Sequence, residues 1–388
     1  MNNEKRKWAE ACREDEWLRL RGGLGRTASR IAAGLPVRVG FLGGSVTAGA
    51  GAADPERDSW RALCAKELSG RVRPGGSFAF RHAAIGGTDS TYGAFRLEAH
   101  LLRSFVPDLL FVEFSVNDAG DRTASVRGME GIVRRTLRGN PAADICFVYT
   151  ARKGEDAFDR PRPAIRHHEE VADRYGLPSV NIAAVANRLL AGGSLRWEEL
   201  SGDDVHPNNE GYRLYADIVG AGLDVALARG GEASGPRAMP EPLDPVAYEG
   251  GKLASPEEAR DRVGFRMERG WRPDAVCNWD PPADVLAAEE PGAELRFDFA
   301  GTAVGLDAIA GMDAGAIEYA IDDGPWRTLD TFDDYCRLFH RPKPIVLADG
   351  LPPGTHRLRV RLSADAHPDS AGRALRIRGF LVNASREA

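Results

Sequence analysis

The amino-acid sequence predicts an open α/β fold built on a parallel sheet, followed by a smaller all-β domain. From Pro36 onward, short apolar runs alternate with segments of helical spacing, which is typical of a parallel sheet with helical crossovers. Beyond about residue 246, the pattern changes to period-two alternation interrupted by turn residues. With 388 residues, the chain is long enough for two such domains.

Five nearly continuous apolar runs are the predicted strands of the parallel sheet, because strands covered by helices on both faces carry no polar side. They are VRVGFLG (37–43), SFAFRHAAI (77–85), PDLLFVEFSV (107–116), ADICFVYT (143–150) and LPSVNIA (177–183). Ligands of such sheets bind beyond the carboxyl ends of the strands, so functional residues are expected there.

The remaining segments are assigned by composition and spacing. The stretch GGEASGPRAMPEPLDP is rich in glycine and proline and predicts a linker. The predicted organisation is an N-terminal helical extension (1–34), an α/β domain ending in an amphipathic helix (35–229), the linker (230–245) and a β-sandwich (246–388).

Composition restricts the classes of partner. The formal net charge of −6 does not favour binding to nucleic acid or to an anionic membrane. The amino terminus has no apolar segment typical of a secretory signal, and no apolar run approaches the ~20 residues of a membrane span. Five scattered cysteines without a CxxC pair argue against a disulfide framework. We therefore predict a cytoplasmic protein, and a homo-oligomer is left open.

The stretch VGFLGGSVTAGAGA (39–52) follows the first predicted strand and is rich in glycine. Its glycines lack the G-x-G-x-x-G spacing of a dinucleotide site, and it has no lysine for a Walker loop. Two interpretations remain, a structural turn and a turn that exposes Ser45 as a nucleophile.

A serine nucleophile needs a base, a group that orients the base, and donors for the oxyanion. Suitable residues follow later elements of the same sheet. They are Gly86 and Gly87 after the second strand, Asn117 and Asp118 after the third, and Asp203, Asp204 and His206 before the last helix.

Four segments, in order, resemble the conserved blocks of the SGNH, or GDSL-type, hydrolases. GGSVTAG resembles the first block, with Ser45 as the nucleophile, and AAIGGTDSTYG resembles the second, with Gly87 as a backbone donor. FVEFSVND resembles the third, with Asn117 donating its amide, and DDVHP resembles the fourth, with His206 as base and Asp203 as its partner.

The resemblance spans roughly residues 37–228 and implies a three-layer, doubly wound, flavodoxin-like sheet. It implies a serine esterase whose oxyanion hole comprises the Ser45 and Gly87 amides and the Asn117 side chain, with no metal or cofactor. Some family members that deacetylate polysaccharides carry a β-sandwich module, so we expect a small-molecule or oligosaccharide ester as substrate. The alternatives are a lipase or thioesterase acting on longer acyl chains, and an inactive glycan-binding protein.

The sequence departs from the family pattern at two positions and leaves one choice open. Gly44 precedes Ser45 where the family usually has aspartate, and His82 stands where many members carry asparagine. Asp204 competes with Asp203 as the acid of the triad, and Asp203 is preferred because the family pattern is Asp-x-x-His.

Other motifs have simpler explanations. The His167-His168-Glu169-Glu170 segment is interpreted as an exposed helix of mixed charge rather than a metal site, and Trp60 as a core residue rather than an acyl contact. The Ser363-to-His367 segment imitates the fourth block but is interpreted as a loop of the β domain. The aromatic residues of that domain either fill its core or stack against sugar rings: Trp271, Trp279, Trp326, Phe332, Tyr335 and Phe339.

Overall fold

The computed structural model divides the chain into two compact units, Met1–Glu249 and Gly250–Ala388. The structure describes residues 7–154, 160–229, 239–273 and 283–385.

A parallel sheet forms the centre of the first unit. Its strands are β1 (Leu18–Arg19), β2 (Val37–Gly43), β3 (Phe78–Ala84), β4 (Leu109–Glu113), β5 (Asp144–Tyr149) and β6 (Ser179–Asn181). The order across the sheet is β1-β6-β5-β4-β2-β3, and only β1 pairs antiparallel among these described strands. The five predicted strands are confirmed as β2 to β6, in flavodoxin-like order. The strand order reverses at β2, whose neighbours are β3 and β4, so the carboxyl ends of β2 and β4 flank the switch point.

Helices cover this sheet. They are α1 (Lys7–Ala11), α2 (Glu14–Trp17), α3 (Gly25–Ala32), α4 (Ser45–Ala48), α5 (Pro55–Asp58), α6 (Trp60–Ser69), α7 (Ser90–Leu97), α8 (Arg122–Gly139), α9 (Pro163–Tyr175), α10 (Ile182–Ala191), α11 (Trp197–Leu200) and α12 (Asn209–Arg229). A π-helical turn (Glu98–Leu102) extends α7, and a 3-10 turn covers Tyr248–Gly250. In one group of helices, α8 packs between α7 and α9. In the other group, α12 packs against α3 and α6.

The N-terminal segment differs from the expected helical extension, because β1 interrupts its helices. Leu18 pairs with Val180 and so adds an antiparallel edge strand to the sheet. Trp8 and Trp17 are both 6% exposed and pack edge to face, with ring centroids 5.1 Å apart. The segment is therefore built into the first unit by a strand pairing and an aromatic contact.

Trp60 lies in the core of the first unit, as predicted. It is fully buried, and its ring packs edge to face against Phe41 at 5.5 Å and Phe111 at 6.1 Å between centroids. Because Phe41 is on β2 and Phe111 on β4, this cluster supports the two strands that flank the switch point.

Most of the predicted linker, residues 230–238, lies outside the described part of the chain. The segment that follows, 239–249, returns to the first unit and binds α8. The buried carboxylate of Glu130 accepts hydrogen bonds from the backbone N–H groups of Leu243 (2.7 Å) and Asp244 (3.0 Å).

The second unit is a sandwich of two antiparallel sheets. Its described strands are β7 (Gly251–Ala254), β8 (Arg260–Val263), β9 (Arg266–Trp271), β10 (Ala283–Ala288), β11 (Glu294–Ala300), β12 (Ala303–Ala310), β13 (Ala316–Ile321), β14 (Arg327–Asp330), β15 (Arg341–Ala348), β16 (Thr355–Leu362) and β17 (Leu375–Asn383). One sheet has the order β15-β12-β17-β10-β9, with β7 paired to β17, and the other has the order β14-β13-β16-β11-β8. Short 3-10 turns cover Pro256–Glu258 and Asp334–Arg337.

Both sheets contribute to one apolar core in this unit. Phe380 of β17 and Phe297 of β11 stack across it, with ring centroids 3.9 Å apart. The predicted β-sandwich is thereby confirmed.

The singled-out aromatic residues of the second unit lie in different environments. Phe332 is buried, whereas Tyr335 is 57% exposed. The half-buried rings of Trp271 and Trp326 lie beside arginine guanidinium groups, and Trp279 lies outside the described residues. Core packing therefore accounts for Phe332 but not for Tyr335.

No helix within the described ranges is both long and apolar enough to cross a lipid bilayer.

We expect Trp60→Ala to lower the free energy of unfolding by about 3–5 kcal/mol, because it leaves a cavity between α6 and the strands β2 and β4. Urea denaturation of the full chain, followed by its helical circular dichroism, checks this value, since the long helices described belong to the first unit. Val72→Ala, at a side chain that is 49% exposed, is the control and should change the value by about 0.5 kcal/mol or less. Equal effects of the two substitutions would contradict the assignment of Trp60 to the core.

Candidate active site

Ser45 forms a row of hydrogen bonds at the switch point with two residues far from it in sequence, His206 and Asp203. Ser45 directly follows the β2 turn as the first residue of α4. Its Oγ lies 2.8 Å from Nε2 of His206, and Nδ1 of His206 lies 2.8 Å from Oδ2 of Asp203. The structure thus brings together the nucleophile, base and acid candidates named from the sequence.

The chemistry of these groups determines where the protons lie. An ionised carboxylate only accepts hydrogen bonds, so the Nδ1–H of His206 donates to Asp203. In a neutral imidazole this leaves the Nε2 lone pair free to accept the hydroxyl proton of Ser45. The arrangement can therefore remove a proton from Ser45 as the oxygen attacks a carbonyl group.

Backbone donors hold Asp203 in its ionised form. Its Oδ1 accepts hydrogen bonds from the N–H groups of His206 (2.6 Å) and Val205 (2.7 Å). Burial raises the pKa of Asp203, but the hydrogen bonds from the His206 and Val205 backbone and from the His206 side chain outweigh it and lower the pKa. The competing residue, Asp204, instead accepts a hydrogen bond from Lys153 N through its backbone carbonyl.

Side chains on α11 and beside it fix the loop that carries His206. Trp197 donates its indole N–H to the carbonyl oxygen of Asp203 at 2.6 Å. The hydroxyl oxygen of Ser201 lies 2.8 Å from the same carbonyl oxygen and 2.6 Å from that of His206.

The turn after the nucleophile is attached to the histidine loop and to α12. The hydroxyl of Tyr212 contacts the carbonyl oxygens of Val46 (3.1 Å) and Ala50 (2.7 Å). At Gly51, where φ is +88°, a Cβ atom would lie only 2.5 Å from the carbonyl oxygen of Pro207. Glycine is therefore required where the two loops meet.

A buried arginine joins the strands that lead to Ser45 and Gly87. Arg96 is fully buried, and its guanidinium donates to the carbonyl oxygens of Ala83 (2.7 Å) and Gly43 (2.9 Å). Since these carbonyls lie at the ends of β3 and β2, Arg96 fixes the separation of the two turns.

A second arginine holds the α4 turn from its other end. The Nε of Arg61 donates to the carbonyl oxygen of Thr47 at 2.9 Å, and its guanidinium is paired with Glu56. The His82 ring nitrogen lies 3.4 Å from the same carboxylate. Burial and the charge of Arg61 lower the pKa of His82, and Glu56 opposes them only in part. The position where many family members carry asparagine is thus occupied by a histidine that contacts Glu56.

The two remaining candidates, Gly87 and Asn117, have contrasting surroundings. Gly87 is exposed, has a φ of +68°, and has open space where a Cβ atom would lie. The amide oxygen of Asn117 is buried without a hydrogen-bond partner among the described residues. A Cβ atom on Gly44 would lie 2.2 Å from that oxygen. The glycine before Ser45 thus makes room for Asn117, and an aspartate would not fit in this arrangement.

One expectation from the sequence is wrong. The segment with His167 and His168 forms α9, but both histidines are buried, with 9% and 0% of the whole residue exposed. The Nε2 atom of His168 lies 2.7 Å from a carboxylate oxygen of Asp118, directly after Asn117. The segment from Ser363 to His367 is a loop between β16 and β17, as predicted.

Sequence reasoning missed the supporting residues Arg61, Arg96, Trp197 and Tyr212. Each lies in a helical segment and donates a hydrogen bond to, or contacts, a backbone carbonyl oxygen. The spacing of residues in the sequence does not show where such a carbonyl oxygen lies. The buried carboxylate of Glu113 was also missed, although it ends β4 and accepts hydrogen bonds from the hydroxyl groups of Thr47 and Thr150 at 2.9 and 3.0 Å.

Comparisons with known proteins identify a similar family and similar solved structures. Residues 41–214 match the GDSL-like lipase/acylhydrolase family. The first unit therefore carries a GDSL-like acylhydrolase domain, which makes the protein a carboxylic ester hydrolase.

Two crystal structures of a two-domain esterase active on acetylated mannans resemble the chain over nearly its whole length. The one co-crystallized with mannopentaose has a TM-score of 0.81 and 22% sequence identity, and the match covers 97% of this chain and 99% of that esterase chain. The other has a TM-score of 0.81 and 23% identity, and covers 96% and 99%. This likeness shows the fold of both units. No curated protein matches the chain.

We expect Gly44→Ala to reduce ester hydrolysis about 10²–10³-fold, because the methyl group would displace the Asn117 amide, a loss comparable to removing one oxyanion donor. The kcat for 4-nitrophenyl acetate and a crystal structure of the variant check this. Gly202→Ala is the control, since a Cβ atom there meets nothing within 4 Å. Full activity of Gly44→Ala with Asn117 unmoved would contradict the expected clash.

Proposed function

We propose that the protein is a serine esterase that hydrolyses short acyl esters, acetyl esters above all, of saccharides. The observation that carries the proposal is the row Ser45–His206–Asp203, with its two hydrogen bonds of 2.8 Å, inside a GDSL-like acylhydrolase domain.

The proposed reaction has two halves. Ser45 Oγ attacks the ester carbonyl carbon while His206 Nε2 takes the hydroxyl proton, and the imidazolium is stabilised by Asp203. Collapse of the tetrahedral intermediate breaks the ester C–O bond, and His206 returns the proton to the departing alcohol. Water then attacks the acyl-enzyme with the same base, and the carboxylic acid leaves.

The oxyanion is assigned three donors, the backbone N–H groups of Ser45 and Gly87 and the side-chain N–H of Asn117. Ser45 begins a helix, where an N–H group has no acceptor within the helix. The open space at Gly87 and the buried oxygen of Asn117 support the other two. Each such donor typically contributes about 3–4 kcal/mol to lowering the barrier.

Exposure of the site supports a bulky, polar alcohol group in the substrate. The side chains of His206 and Asp203 are 32% and 56% exposed, so an ester on a sugar ring can approach the base from solvent. The likeness in fold to an esterase active on acetylated mannans, extending over both units, supports a saccharide substrate for this chain as well. In this proposal the second unit is an accessory domain.

We expect Ser45→Ala to abolish hydrolysis of 4-nitrophenyl acetate, with a loss in kcat on the order of 10⁶-fold. Asp203→Asn should lower kcat by about 10⁴-fold or less, because it removes the charge that favours the imidazolium. Asp204→Asn is the matched control, one residue away, and should stay near the wild type. A loss in Asp204→Asn larger than in Asp203→Asn would reverse the assignment of the acid.

The substrate is tested with 4-nitrophenyl esters from acetate to laurate, and with acetylated and deacetylated manno-oligosaccharides. We expect kcat/KM to be highest for acetate and to fall with chain length, and acetate to be released from the acetylated oligosaccharide. A maximum at long chains would instead favour a lipase or thioesterase. Oligosaccharide binding without turnover of any ester would favour a glycan-binding protein.

A further inference from the structure

Asp118, the residue after Asn117, holds a carboxylate inside the first unit. Its side chain is 3% exposed, and that of its partner His168 is 1% exposed. A buried carboxylate destabilises the fold unless hydrogen-bond donors replace the water that it has lost. Each of its hydrogen bonds therefore has a large effect on the stability of the surrounding loops.

Three donors surround this carboxylate. Oδ1 accepts a hydrogen bond from the backbone N–H of Ser90 at 2.9 Å, and Oδ2 accepts from Ser90 Oγ and His168 Nε2, both at 2.7 Å. Burial alone raises the pKa of Asp118, but the hydrogen bond and charge of His168, together with the Ser90 donors, lower it overall. Asp118 is therefore held as an anion.

The carboxylate connects the two loops that carry Gly87 and Asn117. Ser90 begins α7 three residues after Gly87, and Asp118 directly follows Asn117. The N–H groups of Asn117 and Asp118 both bond to the carbonyl oxygen of Phe114, at 2.9 and 3.1 Å, which fixes this loop to the end of β4. A shift of Asp118 would therefore change the spacing between Gly87 and Asn117.

The His168 side chain has one hydrogen bond in the described part of the chain, the bond to Asp118. Its ring packs beside Tyr149 and Phe147, with centroid distances of 6.0 and 6.4 Å. The hydrogen bond to Asp118 is thus the polar contact of this imidazole, beside its packing on the two rings.

We propose that His168 and Asp118 are positioning residues for ester hydrolysis, which hold the Gly87 amide and the Asn117 side chain at the spacing that the oxyanion requires. The inference rests on the oxyanion roles assigned under the proposed function. Because the oxyanion exists only in the transition state and the intermediates, loss of this spacing lowers kcat and leaves KM nearly unchanged. A displacement of about 1 Å at a reacting site costs about 10²-fold in rate.

The test uses the full chain with His168→Leu, which removes the donor, and His168→Gln, which places an amide N–H near Asp118. His167→Leu is the matched control, because this neighbour on α9 is also buried but does not contact Asp118. Labelling with a fluorophosphonate counts reactive Ser45, and kcat and KM for 4-nitrophenyl acetate are expressed per labelled site. Circular dichroism and the Tm report whether each variant is folded.

We expect kcat per labelled site to fall about 10²-fold in His168→Leu, with KM within about twofold of the wild type. In His168→Gln, kcat should be at least about tenfold higher than in His168→Leu. In His167→Leu, kcat should stay near the wild-type value. An unchanged kcat in folded His168→Leu overturns the proposal, as does failure of glutamine to restore activity or an equal loss in His167→Leu.

If His168→Leu does not fold, Ser90→Ala decides the question, since it removes one donor to Asp118 at the other loop. A loss of about tenfold in kcat with unchanged KM supports the proposal, and wild-type kcat overturns it. An inactive wild type, or an active Ser45→Ala variant, would refute the proposed function itself. An active wild type whose kcat is unchanged by every His168 substitution would refute only the positioning role.

Discussion

The hydrogen bond between Ser45 and His206 depends on the reversal of strand order in the first unit. Where neighbouring crossovers leave in opposite directions, a crevice opens beyond the strand ends. β2 turns into this crevice and presents Ser45, while the loop before α12 brings His206 back over it. The nearby supports, from the Trp60 cluster to Tyr212, keep these two loops at hydrogen-bond distance.

Buried charged groups below the crevice hold the loops that line it. Arg96 binds the carbonyls that end β2 and β3, and Asp118 binds the loops that follow β3 and β4. One cation and one anion, both buried, thus span three adjacent strand ends. A charged group is costly to bury unless its hydrogen bonds are made. Loop arrangements that break these hydrogen bonds are therefore disfavoured.

Much of this architecture could be predicted because it depends on local pattern. The apolar runs of β2 to β6 are continuous, and Ser45, Asn117 and His206 stand at their ends or before the last helix, where a sheet of this kind gathers its ligands. The two-residue strand β1 could not be predicted, since pairing of Leu18 with Val180 depends on a distant edge of the sheet. The inward orientation of His168 was missed because the charges beside it, Glu169 and Glu170, are typical of an exposed helix.

The return of residues 239–249 to α8 affects how the two units can be recombined in evolution. The backbone of this segment caps the buried Glu130 carboxylate, so it belongs physically to the esterase unit although it follows the last helix of that unit. An exchange of modules that joined new sequence directly after α12 would leave the buried Glu130 carboxylate without these two backbone donors, and the Tyr175 hydroxyl would be its remaining described donor. Recombination is therefore tolerated best near Gly250, and an ancestral fusion that preserved folding would have inherited the segment together with α8.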